Sequence, residues 1–209
     1  MPLFRVVRHT VLFLVAQGVV HLADGAAEAQ AASEAGPLDA LALETNEGRR
    51  QRMVHGMGVL LGWSAVNLGT GTAGAFTSEG PPRYLHQMNV GWNLVNAAIG
   101  GFGLAGALRE DPASFGPLDT LEEGRRLEKI LLLNLGLNVA YMATGAFLLE
   151  RGLRRDDDRL RGFGVSLILQ GGFLLVFDSV LFWSQHRASR RYLAQLRPAW
   201  TVETHEGRR

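Results

Sequence analysis

Residues 84–103 read YLHQMNVGWNLVNAAIGGFG. The stretch is apolar enough to enter a bilayer, yet it carries His86, Gln87, Asn89, Asn93 and Asn96. On a helix, His86, Asn89, Asn93, Asn96, Gly100 and Gly103 recur at steps of three and four and share one face. An unpaired amide in hydrocarbon is strongly unfavourable, whereas one bonded across a helix interface contributes about 0.6–2 kcal/mol. The amide face must therefore turn towards other helices or water, and the glycines at its far end admit a close neighbour.

Working outward, four windows lack Lys, Arg and Glu: 53–76, 86–108, 130–149 and 162–184. Each is near the ~20 residues that cross ~30 Å of hydrocarbon. Asp178 is the one formal charge inside them. Of the 209 residues, 47% are apolar and 20% charged, and the charges collect between the windows. A soluble bundle would give each helix one polar face, but these windows keep apolar residues on most sides. The expected fold class is all-α, an integral membrane four-helix bundle with the lipid bilayer as its surroundings. A net charge of +1, with arginines confined to the flanks, argues against a nucleic-acid partner. The absence of cysteine removes disulfide, iron–sulfur and thiol chemistry.

The N-terminus has the layout of an export signal: Arg5 and Arg8, the apolar run TVLFLVAQGVV, then small residues with Ala29-Gln30-Ala31 as a cleavage site. An uncleaved fifth hydrophobic helix is the alternative for 1–31. Residues 32–52 then form an extramembrane lead-in, 53–186 the membrane domain and 187–209 a basic tail. Let A be the side where the first span begins and B the other. A cleaved signal puts A outside the cytoplasm, while the arginine distribution favours A inside, so orientation stays open.

An internal repeat is visible. GPLDALALETNEGRRQR (36–52) and GPLDTLEEGRRLEK (116–129) resemble one another, and Asp119 followed by Glu122 suggests a capping box at a helix start. An ungapped shift of 71 matches about 13 of about 49 positions, where composition gives about four. The matches include Asn67 with Asn138 and Gly100-Gly101-Phe102 with Gly171-Gly172-Phe173. Two tandem helical hairpins are expected, with equal depth for equivalent residues.

Counting ~1.5 Å per residue from each span's centre places Asn67, Asn96, Asn138 and Gln170 in one layer. Asn134 and Asp178 then meet nearer side A as a buried pair. The layer reads either as interhelical glue or as a polar cavity lined by Asn67, Asn89, Asn93, Asn96, Asn138 and Gln170 with His86 at its mouth. Gly58 and Gly62, extended by Ala65 and Gly69, suggest a packing face. No cofactor or metal site is expected: His55 and His186 are the one pair at matching depth, without further ligands beside them. No His-Glu-x-x-His, Gly-x-Ser-x-Gly or P-loop pattern supports an enzyme.

The blocks HQMNVGWNLVN and LILQGGFLLVFD, with GVLLGWSAVNLGTG and LERGLRR, resemble an uncharacterised family of small bacterial multi-helix membrane proteins known by a domain of unknown function, over roughly residues 47–186. The resemblance implies a signal-like N-terminus and the bacterial cytoplasmic membrane, multi-pass, and brings no activity or substrate. Two roles follow as expectations: a structural or accessory membrane protein, acting as a homo-oligomer or with a partner membrane subunit, or a small transporter or channel-like protein using the amide face.

Overall fold

The computed structural model describes residues 36–206, with side chains through Leu196. Four helices follow one another: α1 Pro37–Thr77, α2 Gly80–Arg109, α3 Pro117–Arg155 and α4 Asp158–Glu206, with a 3-10 turn at Pro112–Ser114 between α2 and α3. No strand occurs among the described residues, so the chain is all-α. The signal-like segment 1–31 lies outside the described residues.

The helix starts follow from local chemistry. Pro37 and Pro117 open α1 and α3, where proline loses no helical hydrogen bond and its fixed φ suits the first turn. Two residues on, the carboxylates of Asp39 and Asp119 accept the N–H groups of Gly36 and Gly116 at 3.2 and 3.3 Å. Asp119 is thus the third helical residue rather than a cap for Glu122, because Pro117 starts the helix before it. The α1–α2 turn needs Gly80 at φ +59, and α3 ends where Asp156 adopts a left-handed φ of 54.

α1 pairs with α2 and α3 with α4 as two hairpins, and α2 also packs along α4. Residues 37–52 of the lead-in and 187–206 of the tail prolong α1 and α4 as continuous helix. The hairpins are out of register with the 71-residue shift. Thr77 ends α1, but its counterpart Leu148 lies inside α3, which runs to Arg155. Seven residues are about two turns, which keeps the helical face while moving the turn ~10 Å along the axis. Equivalent residues therefore do not share one depth.

Among the described residues two helices, α3 and α4, are long and apolar enough to cross a membrane. The windows of α1 and α2 are diluted by glycine, threonine, serine and asparagine. Along the middle of the bundle the interior is polar. Ser64, Asn93, Ser166 and Gln170 are wholly buried beside a few apolar residues such as Leu60, Leu131 and Leu167, while Phe76 is 87% exposed and Val66, Phe102 and Val176 are exposed as well. At the side A end the order is the familiar one, with Ala42, Tyr192 and Leu196 buried among Leu38, Leu41 and Leu121. The expected packing face is corrected too: a Cβ at Gly58, Gly62 or Gly69 would meet nothing, since that side of α1 points away from the other helices.

Candidate functional site: the polar interior

The amide stripe of α2 faces α1 and α4. Gly71 and Gly74 on α1 leave the room it needs: a Cβ at Gly71 would press on Val90 and Asn89, and one at Gly74 would overlap the His86 ring. Asn67 on α1 donates to Trp63 O at 2.8 Å and accepts from Asn89 Nδ2 at 2.9 Å. Gln170 on α4 donates to Asn89 Oδ1 and, at 3.4 Å, to Asn67 Oδ1. Its carbonyl accepts from Trp63 Nε1 at 2.9 Å, and the Trp63 ring stacks on Phe173 at 3.9 Å. Three helices are thereby joined through one hub, Gln170.

Above the hub, Asn93 donates to Asn89 O at 2.9 Å and Asn89 Oδ1 at 3.2 Å. Asn93 Oδ1, Asn96 Nδ2, Ser166 Oγ, Trp92 Nε1 and His86 Nδ1 are buried without a partner. Residues with such atoms usually bond water or another group. The stripe is therefore satisfied at Asn89 and open at Asn93 and Asn96.

Two expected groupings change. Asp178 accepts from Asn138 Nδ2 at 2.6 Å, so the buried pair is Asn138–Asp178 rather than Asn134–Asp178; Asn134 is half-buried, one turn away. The single layer also divides. Asn67 belongs with Gln170 and Asn138 with Asp178, and eight residues of α4 separate those levels by ~12 Å. The later turn of the second hairpin is the reason, because it puts Asn138 farther than Asn67 from the turn and so nearer side A. Sequence reasoning missed Ser64, Ser166 and the role of Trp63. Their signal was available: Ser64 precedes Asn67 by three residues and Ser166 precedes Gln170 by four, so each extends the polar face of its helix.

A second network lies at the side A end. Asn46, wholly buried, donates to Thr120 Oγ1 at 2.9 Å and Pro112 O at 3.2 Å and accepts from Arg49 at 2.8 Å. Arg49 pairs with Glu110 at 3.0 Å and covers the Phe115 ring. Tyr192 donates to Pro117 O at 2.8 Å; burial first, opposed by a hydrogen bond with Thr120 and aided by the Asp39 carboxylate, holds its phenol above the usual range. His55 and His186 are engaged separately, His55 with Gln51 O and His186 with Glu128. Among the described residues no group of three His, Asp or Glu side chains could hold a metal ion.

Residues 59–179 match the profile of a family described as of unknown function, DUF6992. No curated protein and no solved structure matches. The matched span contains the whole polar interior, from Trp63 to Asp178, and stops short of the side A network on α1 and α4.

Proposed function

For a chain that belongs to the family of unknown function DUF6992, we propose a structural or accessory role as a multi-pass membrane protein, its four helices crossing the bilayer and holding a second copy or a partner membrane subunit. The observation that carries this is the inverted interior: amides and hydroxyls inside, Phe76, Phe102, Val66 and Val176 outside. Water penalises that arrangement twice, by exposing apolar area and by desolvating amides. Lipid favours both halves of it. The lower hydropathy of α1 and α2 fits the same picture, because the residues that lower it include Ser64, Asn67, Asn89, Asn93 and Asn96, which face inward.

In a bacterium the host would be the cytoplasmic membrane, with 1–31 serving export. The hairpins would descend from one duplicated unit whose connecting turn falls about two helical turns later in the second copy. Matched surroundings support that descent: Gly100 and Gly171 both pack closely on a neighbouring helix, while Gly101 and Gly172 both meet open space.

The unpartnered atoms of Asn93, Asn96 and Ser166 favour a second reading, a small transporter or channel-like protein with a polar path beside α2. The chain has no cysteine, so single cysteines at 93 and 96 can be labelled cleanly in sealed vesicles with an impermeant maleimide. The structural role predicts no labelling from either side, together with loss of thermal stability in the Asn67→Ala and Asn89→Ala proteins, which remove the bonds between helices. Labelling from one side in a stably folded protein would overturn it in favour of transport.

A further inference from the structure

Several arginines near the side A end have no carboxylate partner among the described residues, and three of them gather at one cleft. Arg49 is paired with Glu110, but Arg52, Arg187 and Arg191 make no ion pair. All three line one cleft of about 720 Å³, beside Trp183 and Ser184. Arg52 is the inner member. Its guanidinium donates to Gln185 Oε1 at 3.1 Å, while its Nε is buried with nothing to bond. Burial, and then the nearby charge of Arg49, pulls its pKa down from the usual arginine value. An anion in the cleft would relieve both.

The cleft continues into an apolar groove of about 590 Å³ between α1 and α4, with Arg52, Val180 and Ser184 common to both. The groove is lined by Val59, Phe173, Val176 and Phe177, which lie one to three turns farther into the proposed spans. Trp183, 57% exposed, lines the cleft next to the shared Ser184, as aromatic side chains do at a membrane surface.

We propose that this cleft and groove bind one anionic phospholipid, its phosphate against Arg52, Arg187 and Arg191 and an acyl chain along the α1–α4 groove. Guanidinium groups match phosphate oxygens with paired donors, and basic pockets between membrane helices hold anionic headgroups. A free phosphate would satisfy the arginines and leave the groove unused. An acyl chain uses both parts. The proposal rests on the membrane reading above.

The test uses the full chain in zwitterionic detergent, titrated with dioctanoyl phosphatidylglycerol, dioctanoyl phosphatidylcholine or inorganic phosphate, with binding followed by thermophoresis and tryptophan fluorescence. Phosphatidylglycerol should bind saturably and far more tightly than the other two. Arg187→Gln with Arg191→Gln, both at exposed positions, should weaken it about fivefold per arginine, roughly 30-fold together, with unchanged far-ultraviolet circular dichroism. Arg52→Gln should weaken it further; since that variant could misfold, the exposed pair is the deciding comparison. Equal affinity for the two lipids, an unaffected double variant, or inorganic phosphate binding as tightly as phosphatidylglycerol would overturn the lipid site. If the chain still needs detergent to stay dispersed, the membrane reading survives that failure. A chain that stays monodisperse without detergent would overturn both.

Discussion

The middle of the bundle and its side A end solve the same packing problem in opposite ways. In the middle, Asn67, Asn89 and Gln170 bond to one another inside while Val66, Leu94 and Val176 face out. At the end, Ala42, Tyr192 and Leu196 pack inside while Glu44, Glu47, Arg125 and Arg126 face out. The two regions share helices, so propensity does not separate them. The surroundings do: a surface of valine, leucine and phenylalanine is at rest in hydrocarbon, and a surface of glutamate and arginine in water. On the proposed reading, the difference teaches that the chain is built for two solvents, with the boundary crossing α1 and α4 near Arg52 and Trp183.

The comparison can be broken at several points. Tyr192→Ala removes a wholly enclosed aromatic from the apolar end and should destabilise by about 3–5 kcal/mol, read as a large fall in thermal midpoint in detergent. Next, Leu94→Asp should cost about 2.5–3.5 kcal/mol at mid-span and reduce the membrane-inserted fraction. The same change at Leu43, on the watery end, should stay within about 0.5 kcal/mol. Similar losses at both positions would erase the distinction. Gln170→Leu strands the Trp63 indole N–H and removes one of the two donors to the Asn89 carbonyl, and should cost about 1–2 kcal/mol, less than the same loss in a dry soluble core, because an unfolded chain in lipid also finds partners.

The smallest effect is a pH dependence confined to the end. A phenol whose folded value is raised favours the folded state while protonated. Its contribution is complete below about pH 10 and is lost as pH rises through the raised value, so stability falls with pH there. Tyr192→Phe should remove that slope and about 1 kcal/mol at neutral pH, measured by thermal melts from pH 8 to 11.

Helical periodicity is enough to put Asn89, Asn93 and Asn96 on one face, and that face is buried. The partners across the bundle were harder to read, because they depend on where each turn falls. α1 stops before Gly80-Pro81-Pro82, and the matched stretch Arg151-Gly152-Leu153 has no proline. Without it α3 continues two turns, and Asn138 meets Asp178 instead of joining Asn67. The outward side of Gly58 and Gly62 was equally hidden, since small residues signal room for a neighbour without saying which helix takes it.

The inverted interior is tested most directly by nitroxide labels on single cysteines at Leu94, Val176 and Asn93 in liposomes, comparing collision with oxygen, which concentrates in lipid, and with a neutral nickel chelate, which stays in water. Positions 94 and 176 should collide freely with oxygen and rarely with the chelate, and position 93 rarely with either. Strong chelate collisions at 94 and 176 would place those faces in water and contradict the account.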